Sequence, residues 1–165
     1  MKELSLERLK EVALYDPLDG SFTRRSPMGR HGCHQAGQKM GRVGLNGYIH
    51  ISIDCQIYYG HRLAWLYMTG KWPIAQVDHI DRNRANNIFD NLREATNAQN
   101  QWNRKCLRTD GRKGIYLHKL SGLWTARIKV NGISHSLGYF KSPDDAHAAY
   151  VSASKIHHGE FSRAK

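Results

Sequence analysis

From Gly47 onward, apolar and polar residues alternate: Ile49, Ile51 and Ile53 interleave with His50, Ser52 and Asp54. That period of two predicts a strand with one buried face, and Ile57-Tyr58-Tyr59 supplies a short partner. Residues 61–68 then change to a helical pattern, closed near Gly70 and firmly before Pro73. Residues 76–80 read as the first strand of a hairpin, with an Asn-rich connection after it. Thr96-Asn97-Ala98-Gln99 is a capping box opening a helix through Arg104, with Trp102 as its packing anchor. Upstream, Ser5 caps a helix over residues 6–14, Asp16-Pro17 and Asp19-Gly20 mark turns, and residues 25–41 read as a Gly-, Arg- and His-rich loop.

A different rhythm governs the end of the chain. Residues 114–118 and 124–130 alternate as strands, and Asn131-Gly132 is a strong hairpin signal leading into residues 133–137. Pro143 stands near the start of a helix whose Ala146, Ala149, Tyr150 and Ala153 form an apolar stripe, suited to covering one sheet face. The pattern divides the chain into residues 1–104, a basic linker 105–113, and residues 114–165. Neither half repeats internally.

Charge narrows the choice of partner. The 165 residues carry a net charge of +11, and residues 105–165 hold 11 Lys/Arg against 4 Asp/Glu. A polyanion is the simplest partner, because neutralising phosphates releases counterions. Cys33, Cys55 and Cys106 are odd in number and widely spaced. They form neither a disulfide framework nor a Cys-x-x-Cys pair, so a reducing cytoplasmic setting and no structural zinc are expected. No signal-peptide core and no apolar run of membrane-spanning length is present, so no membrane association is expected.

The chemistry concentrates between Asp78 and Asn103. Phosphodiester hydrolysis needs an activated water, charge stabilisation and a protonated leaving oxygen. His79 can accept a water proton, since imidazole titrates near neutral pH. Asp78 and Asn100 are oxygen donors suited to Mg²⁺. Taken singly, each has an ordinary reading: His79 as a hydrogen-bonding residue, Asp78 as a turn carboxylate, Asn100 as a solvent-facing amide. Asn86, Asn87 and Asn91 fit loop residues that satisfy backbone groups. Asp81 and Asp90 are further acidic candidates with nothing in residue type to favour them.

Taken in order, Asp78-His79, Asp90-Asn91-Leu92 and Asn100 resemble the HNH nuclease family, particularly its phage-type homing endonucleases. Tyr15-Asp16-Pro17, Gly47-Tyr48-Ile49, His61-Arg62-Leu63-Ala64-Trp65 and Gly70-Lys71-Trp72-Pro73 extend that likeness upstream. The resemblance implies an α+β protein with a ββα-metal core. In it His79 would be the general base, Asn91 the residue bracing the catalytic loop, and Asp78 with Asn100 the ligands of Mg²⁺ or, alternatively, Mn²⁺. Asn100 stands where the motif has its last His, which keeps an oxygen donor but weakens any inference about metal preference. Asn103 and Arg62 are candidates to support the centre or touch DNA.

Downstream, Gly114-Ile115, residues 124–128, Leu137-Gly138-Tyr139-Phe140, residues 146–150 and His158-Gly159-Glu160-Phe161 resemble an AP2-type module. That likeness implies a three-stranded antiparallel sheet facing DNA and backed by a helix. Alternation puts Ala126 and Ile128 inward and Thr125, Arg127 and Lys129 outward, joined by Tyr116, His118, Ser134 and Ser136. Arg127 is the best base reader, because its guanidinium matches a guanine edge. Arg112 and Lys113 are expected to hold phosphate. The expected function is divalent-metal-dependent cleavage of double-stranded DNA by a site-directed endonuclease or nickase, monomeric by preference, with a dimer as the route to a second cut. The family likeness further implies a phage protein acting in a bacterial host. The competing reading is a non-catalytic DNA-binding or regulatory protein that keeps an HNH scaffold.

Overall fold

The computed structural model describes residues 4–27, 35–103, 106 and 110–162. Two compact units make up the chain, Met1–Ala95 and Thr96–Lys165. This division differs from the one expected at residues 104 and 114: the short helix after the central hairpin belongs to the second unit. Cys33 and Arg104 lie outside the described residues, as does much of the loop expected over 25–41.

In the first unit, α1 (Leu6–Val12) starts at Ser5, whose hydroxyl accepts from Arg8 N at 3.2 Å. The helix was expected to continue to Leu14 but stops at Val12, and Ala13–Tyr15 is strand β1. Alternating burial explains the change, with Ala13 and Tyr15 buried while Leu14 between them is 47% exposed. β1 pairs with β2 (Phe22–Arg24), and β2 with β3 (Lys39–Met40), in a small antiparallel sheet. A second sheet joins β4 (Arg42–Val43), β5 (Ile49–Ile53) and β6 (Gln56–Tyr59) in that order.

Helix α2 (Gly60–Thr69) follows directly and ends at left-handed Gly70, where φ is 78°. The hairpin β7 (Gln76–His79) and β8 (Leu92–Ala95) then pairs Asp78 with Arg93 and His79 with Leu92. Leu9, Phe22, Ile51, Leu63 and Val77 belong to one shared core. Burying each large apolar side chain contributes about 1.5–3 kcal/mol. This core fixes the base of the hairpin.

The second unit opens with the expected capping box: Thr96 Oγ1 accepts from Gln99 N, and Gln99 Oε1 accepts from Thr96 N at 2.8 Å. Helix α3 (Asn97–Asn103) is only two turns long, too short to persist unaided. Trp102 stacks on His158 with ring centroids 4.1 Å apart, and Lys113 Nζ donates to Trp102 O at 2.8 Å. Strands β9 (Ile115–His118), β10 (Leu123–Val130) and β11 (Ile133–Phe140) form an antiparallel sheet with β10 central.

Asn131 and Gly132 both adopt positive φ, as the predicted two-residue turn requires. The pairing shifts between Ala126 and Arg127, so β11 carries a bulge at Leu137 and runs further than its sequence pattern indicates. Helix α4 (Pro143–His158), capped by Ser142, buries Ala146 and Tyr150 beside Ile115, Ala126 and Ile128.

Candidate active site

β7 delivers Val77, Asp78 and His79 consecutively, and all three are buried. His79 ends β7 directly after Asp78, whose charge acts on the imidazole. His79 Nε2 lies 3.1 Å from Asn87 Oδ1, and both residues are buried. An amide oxygen only accepts, so Nε2 carries the proton and the neutral ring bears its lone pair on Nδ1. Asn87 is itself held in place. Its carbonyl accepts from Tyr15 OH at 2.6 Å, and Gly20 leaves room for the backbone of Asn87 and Ile88, which a Cβ would approach to 2.4 Å.

The connection between β7 and β8 is built around Asp81. Its Oδ1 accepts from Asn83 N at 2.8 Å and Asn91 Nδ2 at 2.9 Å, and its Oδ2 from Asn86 Nδ2 at 2.7 Å. Asn91 returns a bond from Asp81 N to its own Oδ1 and also donates to Asn86 O. Burial pushes the Asp81 carboxyl up, but the donors from Asn86, Asn83 and Asn91 outweigh that and hold it below its usual range. Asn91 and Asp81 therefore form a reciprocal knot that closes the loop. Arg84 ties the loop outward, donating to Asn46 O at 2.8 Å with its guanidinium 4.9 Å from the Tyr48 ring centre.

Aromatic rings surround His79. Tyr48 is 5.9 Å away and His61 is 5.1 Å away, nearly perpendicular, by ring centroids. Burial lowers the His61 pKa to about 3, helped by His79 and Arg62, so that imidazole is neutral at physiological pH. Its Nδ1 is buried without a hydrogen-bond partner. His79 is also lowered, chiefly by burial, with the bond to Asn87 opposing the shift. A neutral, oriented imidazole is the form that can accept a proton.

Asp78 meets Arg93 directly across the hairpin. Arg93 Nε and Nη2 both donate to Asp78 Oδ2, at 3.2 and 3.1 Å. The side chains are 13% and 8% exposed, so this pair is far better shielded than a surface bridge.

Asp78, His79 and Asn91 thus share the first unit, while Asn100 and Asn103 sit on α3 in the second, Asn103 being buried. Arg62 lies with its guanidinium 5.6 Å from the Trp72 ring centre. Arg112 and Lys113, expected to face phosphate from a linker, are engaged inside the second unit. Arg112 Nη2 bonds Asp144 Oδ1 at 2.6 Å, and Lys113 holds carbonyls of α3. Thr125 was expected on the open outer face but is only 3% exposed. Its cross-strand neighbours on either side are Tyr116 and Tyr139, each 56% exposed. Arg127 and Lys129 are exposed opposite Ser136 and Ser134, as alternation predicts. His118 Nδ1 lies 2.8 Å from Ser121 Oγ.

Asn87, Arg93, His61 and Tyr48 are the site residues that sequence reasoning did not single out. Only the hairpin register, which pairs Asp78 with Arg93, could have flagged the arginine. Asn87 was one of several loop amides, and only its burial distinguishes it.

The HNH endonuclease family model matches residues 58–102, which span α2, the hairpin and most of α3. Protein 3.8 of Escherichia phage T7 is 32% identical over 108 residues, covering 62% of this chain and 87% of that protein. The uncharacterized HNH endonuclease L560 of Acanthamoeba polyphaga mimivirus is 34% identical over 122 residues, covering 72% of this chain and 63% of its own length. Among solved structures, the HNH homing endonuclease I-HmuI, described for its DNA binding and cleavage, aligns with a TM-score of 0.46 and 19% identity, covering 96% of this chain and 91% of that one. The chain belongs to the HNH endonuclease family and is a nuclease.

Proposed function

We propose that the protein hydrolyses phosphodiester bonds in duplex DNA with a divalent cation, as a site-directed endonuclease that cuts one strand per catalytic set. The observation that carries this reading is the buried His79–Asn87 pair beside Asp78, at the mouth of a loop locked by Asp81 and Asn91. His79 takes a proton from water at Nδ1, while Asn87 keeps the opposite nitrogen protonated. Asn91 acts indirectly, by holding the loop that carries Asn87.

The donor chemistry fits a hard cation. Asp78 offers a carboxylate and Asn100 an amide oxygen, hard donors that suit an ion such as Mg²⁺ or Mn²⁺, which keeps waters and a substrate phosphate. The assignment of Asn100 rests on motif order. Bound there, the ion supplies charge stabilisation at the phosphate and leaving oxygen.

Net charge of +11 supports a nucleic-acid partner, and the exposed Arg127/Lys129 face supports the second unit as an AP2-like DNA-positioning sheet. Supercoiled circular DNA incubated with the protein, with Mg²⁺, Mn²⁺ or EDTA, is the test. Nicked circles that require the cation and vanish with His79→Ala are expected; cleavage unchanged by EDTA or by His79→Ala refutes the mechanism.

A further inference from the structure

We propose that Arg93 is a built-in counter-cation that keeps Asp78 from binding a divalent ion tightly until a DNA phosphate arrives. The inference rests on the reading of Asp78 as a metal ligand. Arg93 Nε and Nη2 converge on one oxygen, Asp78 Oδ2, in a pair less than one-seventh exposed at either end. The carboxylate is therefore already charge-compensated before any cation approaches.

Among the described residues, the two carboxylates nearest in the hairpin, Asp81 and Glu94, are already engaged elsewhere. Both Asp81 oxygens are occupied by the amides of the loop knot. Glu94, next to Arg93 and so on the other face of β8, accepts from Ile74 N at 2.9 Å. A divalent ion reaching Asp78 meets a carboxylate of nearly cancelled charge and a guanidinium that repels it. A substrate phosphate supplies the negative charge that offsets this repulsion, and its oxygens also offer Arg93 an alternative acceptor. Ion and substrate then bind cooperatively, and the site stays nearly cation-free away from DNA. Arg93 is thus a positioning residue that acts through Asp78.

Mn²⁺ binding to the 165-residue chain, followed by the electron-paramagnetic signal of free Mn²⁺, tests this without reference to cleavage. Arg93→Gln should bind Mn²⁺ about tenfold more tightly than the parent, the scale of a unit charge near a doubly charged ion at a few ångströms in a water-like dielectric. Arg93→Lys, which keeps the charge, should stay close to the parent. In a His79→Ala background, duplex DNA should tighten Mn²⁺ binding, and the tightening should shrink when Arg93→Gln is added. Equal or weaker Mn²⁺ binding by Arg93→Gln overturns the proposal, as does a His79→Ala protein in which DNA leaves Mn²⁺ affinity unchanged. The second arm requires no change at Arg93 and stands even if that variant folds poorly. Asp78→Ala separates the two levels. Undiminished Mn²⁺ binding by that variant removes the ligand assignment itself, whereas lost binding together with an unresponsive Arg93→Gln removes only the role of Arg93.

Discussion

Asn87 Oδ1 and His79 Nε2 stand 3.1 Å apart in a site where neither residue reaches solvent appreciably, so a loop amide sets the tautomer of the His79 imidazole. Asn87→Ala should lower the single-turnover cleavage rate about 10- to 100-fold, the usual scale for losing a residue that orients a ligand or base. Substrate affinity should change little. A rate within twofold of the parent, from a protein of native circular dichroism, would remove Asn87 from the mechanism.

His79→Ala should cost more, about 10²- to 10⁴-fold, because it removes the proposed proton acceptor itself. DNA binding by electrophoretic mobility shift should persist. Combining His79→Ala with Asn87→Ala should add almost nothing to the loss, since Asn87 acts through His79. Additive losses would show that Asn87 has a separate role.

Asn91→Ala breaks three hydrogen bonds of the loop knot, two with Asp81 and one with Asn86 O. Hydrogen exchange over residues 81–91 should accelerate, with cleavage falling in step. These bonds are exposed or part-buried, so each one lost costs about 0.5–1.5 kcal/mol. If exchange stayed slow while activity fell, Asn91 would be acting on the substrate directly.

His61 makes the first unit sensitive to acid. Its folded pKa, about 3, lies below the ordinary value of 6.5. Between those values the unfolded chain holds the extra proton, so unfolding becomes easier as pH falls. The stabilisation is complete above the ordinary value and fades toward the lower one, by at most about 1.4 kcal/mol per pH unit for one proton. Urea denaturation at pH 7, 6 and 5 should show this slope, and His61→Phe should flatten it. His79, also shifted down, accounts for part of what remains. Parallel slopes for parent and variant would show that His61 protonates as readily folded as unfolded.

Gly20 has φ of +72°, and a side chain there would collide with the backbone of Asn87 and Ile88. Gly20→Ala should therefore lower the melting temperature and reduce cleavage together, because the displaced segment carries Asn87. The left-handed conformation alone costs about 1–2 kcal/mol for a residue with a Cβ. A destabilised variant with full activity at low temperature would uncouple the turn from the site.

Much of this molecule is legible in its sequence where one signal dominates. Ile49, Ile51 and Ile53, the Thr96–Gln99 box and Asn131-Gly132 each announce their element through local chemistry. Strands β1 to β4, only two or three residues long, fall below the length at which alternation can be read, and tertiary burial rather than propensity ends α1 at Val12. The site follows the same division. Motif order pointed to Asp78, His79 and Asn91, whereas Asn87, Arg93 and Thr125 depend on register and packing. A loop amide looks the same in sequence whether it faces water or an imidazole. Thr125 satisfies the alternation rule and is still buried, because alternation assigns a face and says nothing of how far that face is covered.

Tyr15, Gly20, Asn46 and Tyr48 all hold the loop or pack on His79 from upstream of residue 58, where the family match begins. The recognisable motif is thus not a portable cassette. Transplanted alone into a foreign scaffold, residues 58–102 would carry the proposed reactive groups yet leave behind the buttresses that hold them. A chimaera built from the start of the first unit inherits both, and swaps between relatives should be cut before α1 rather than at the edge of the motif.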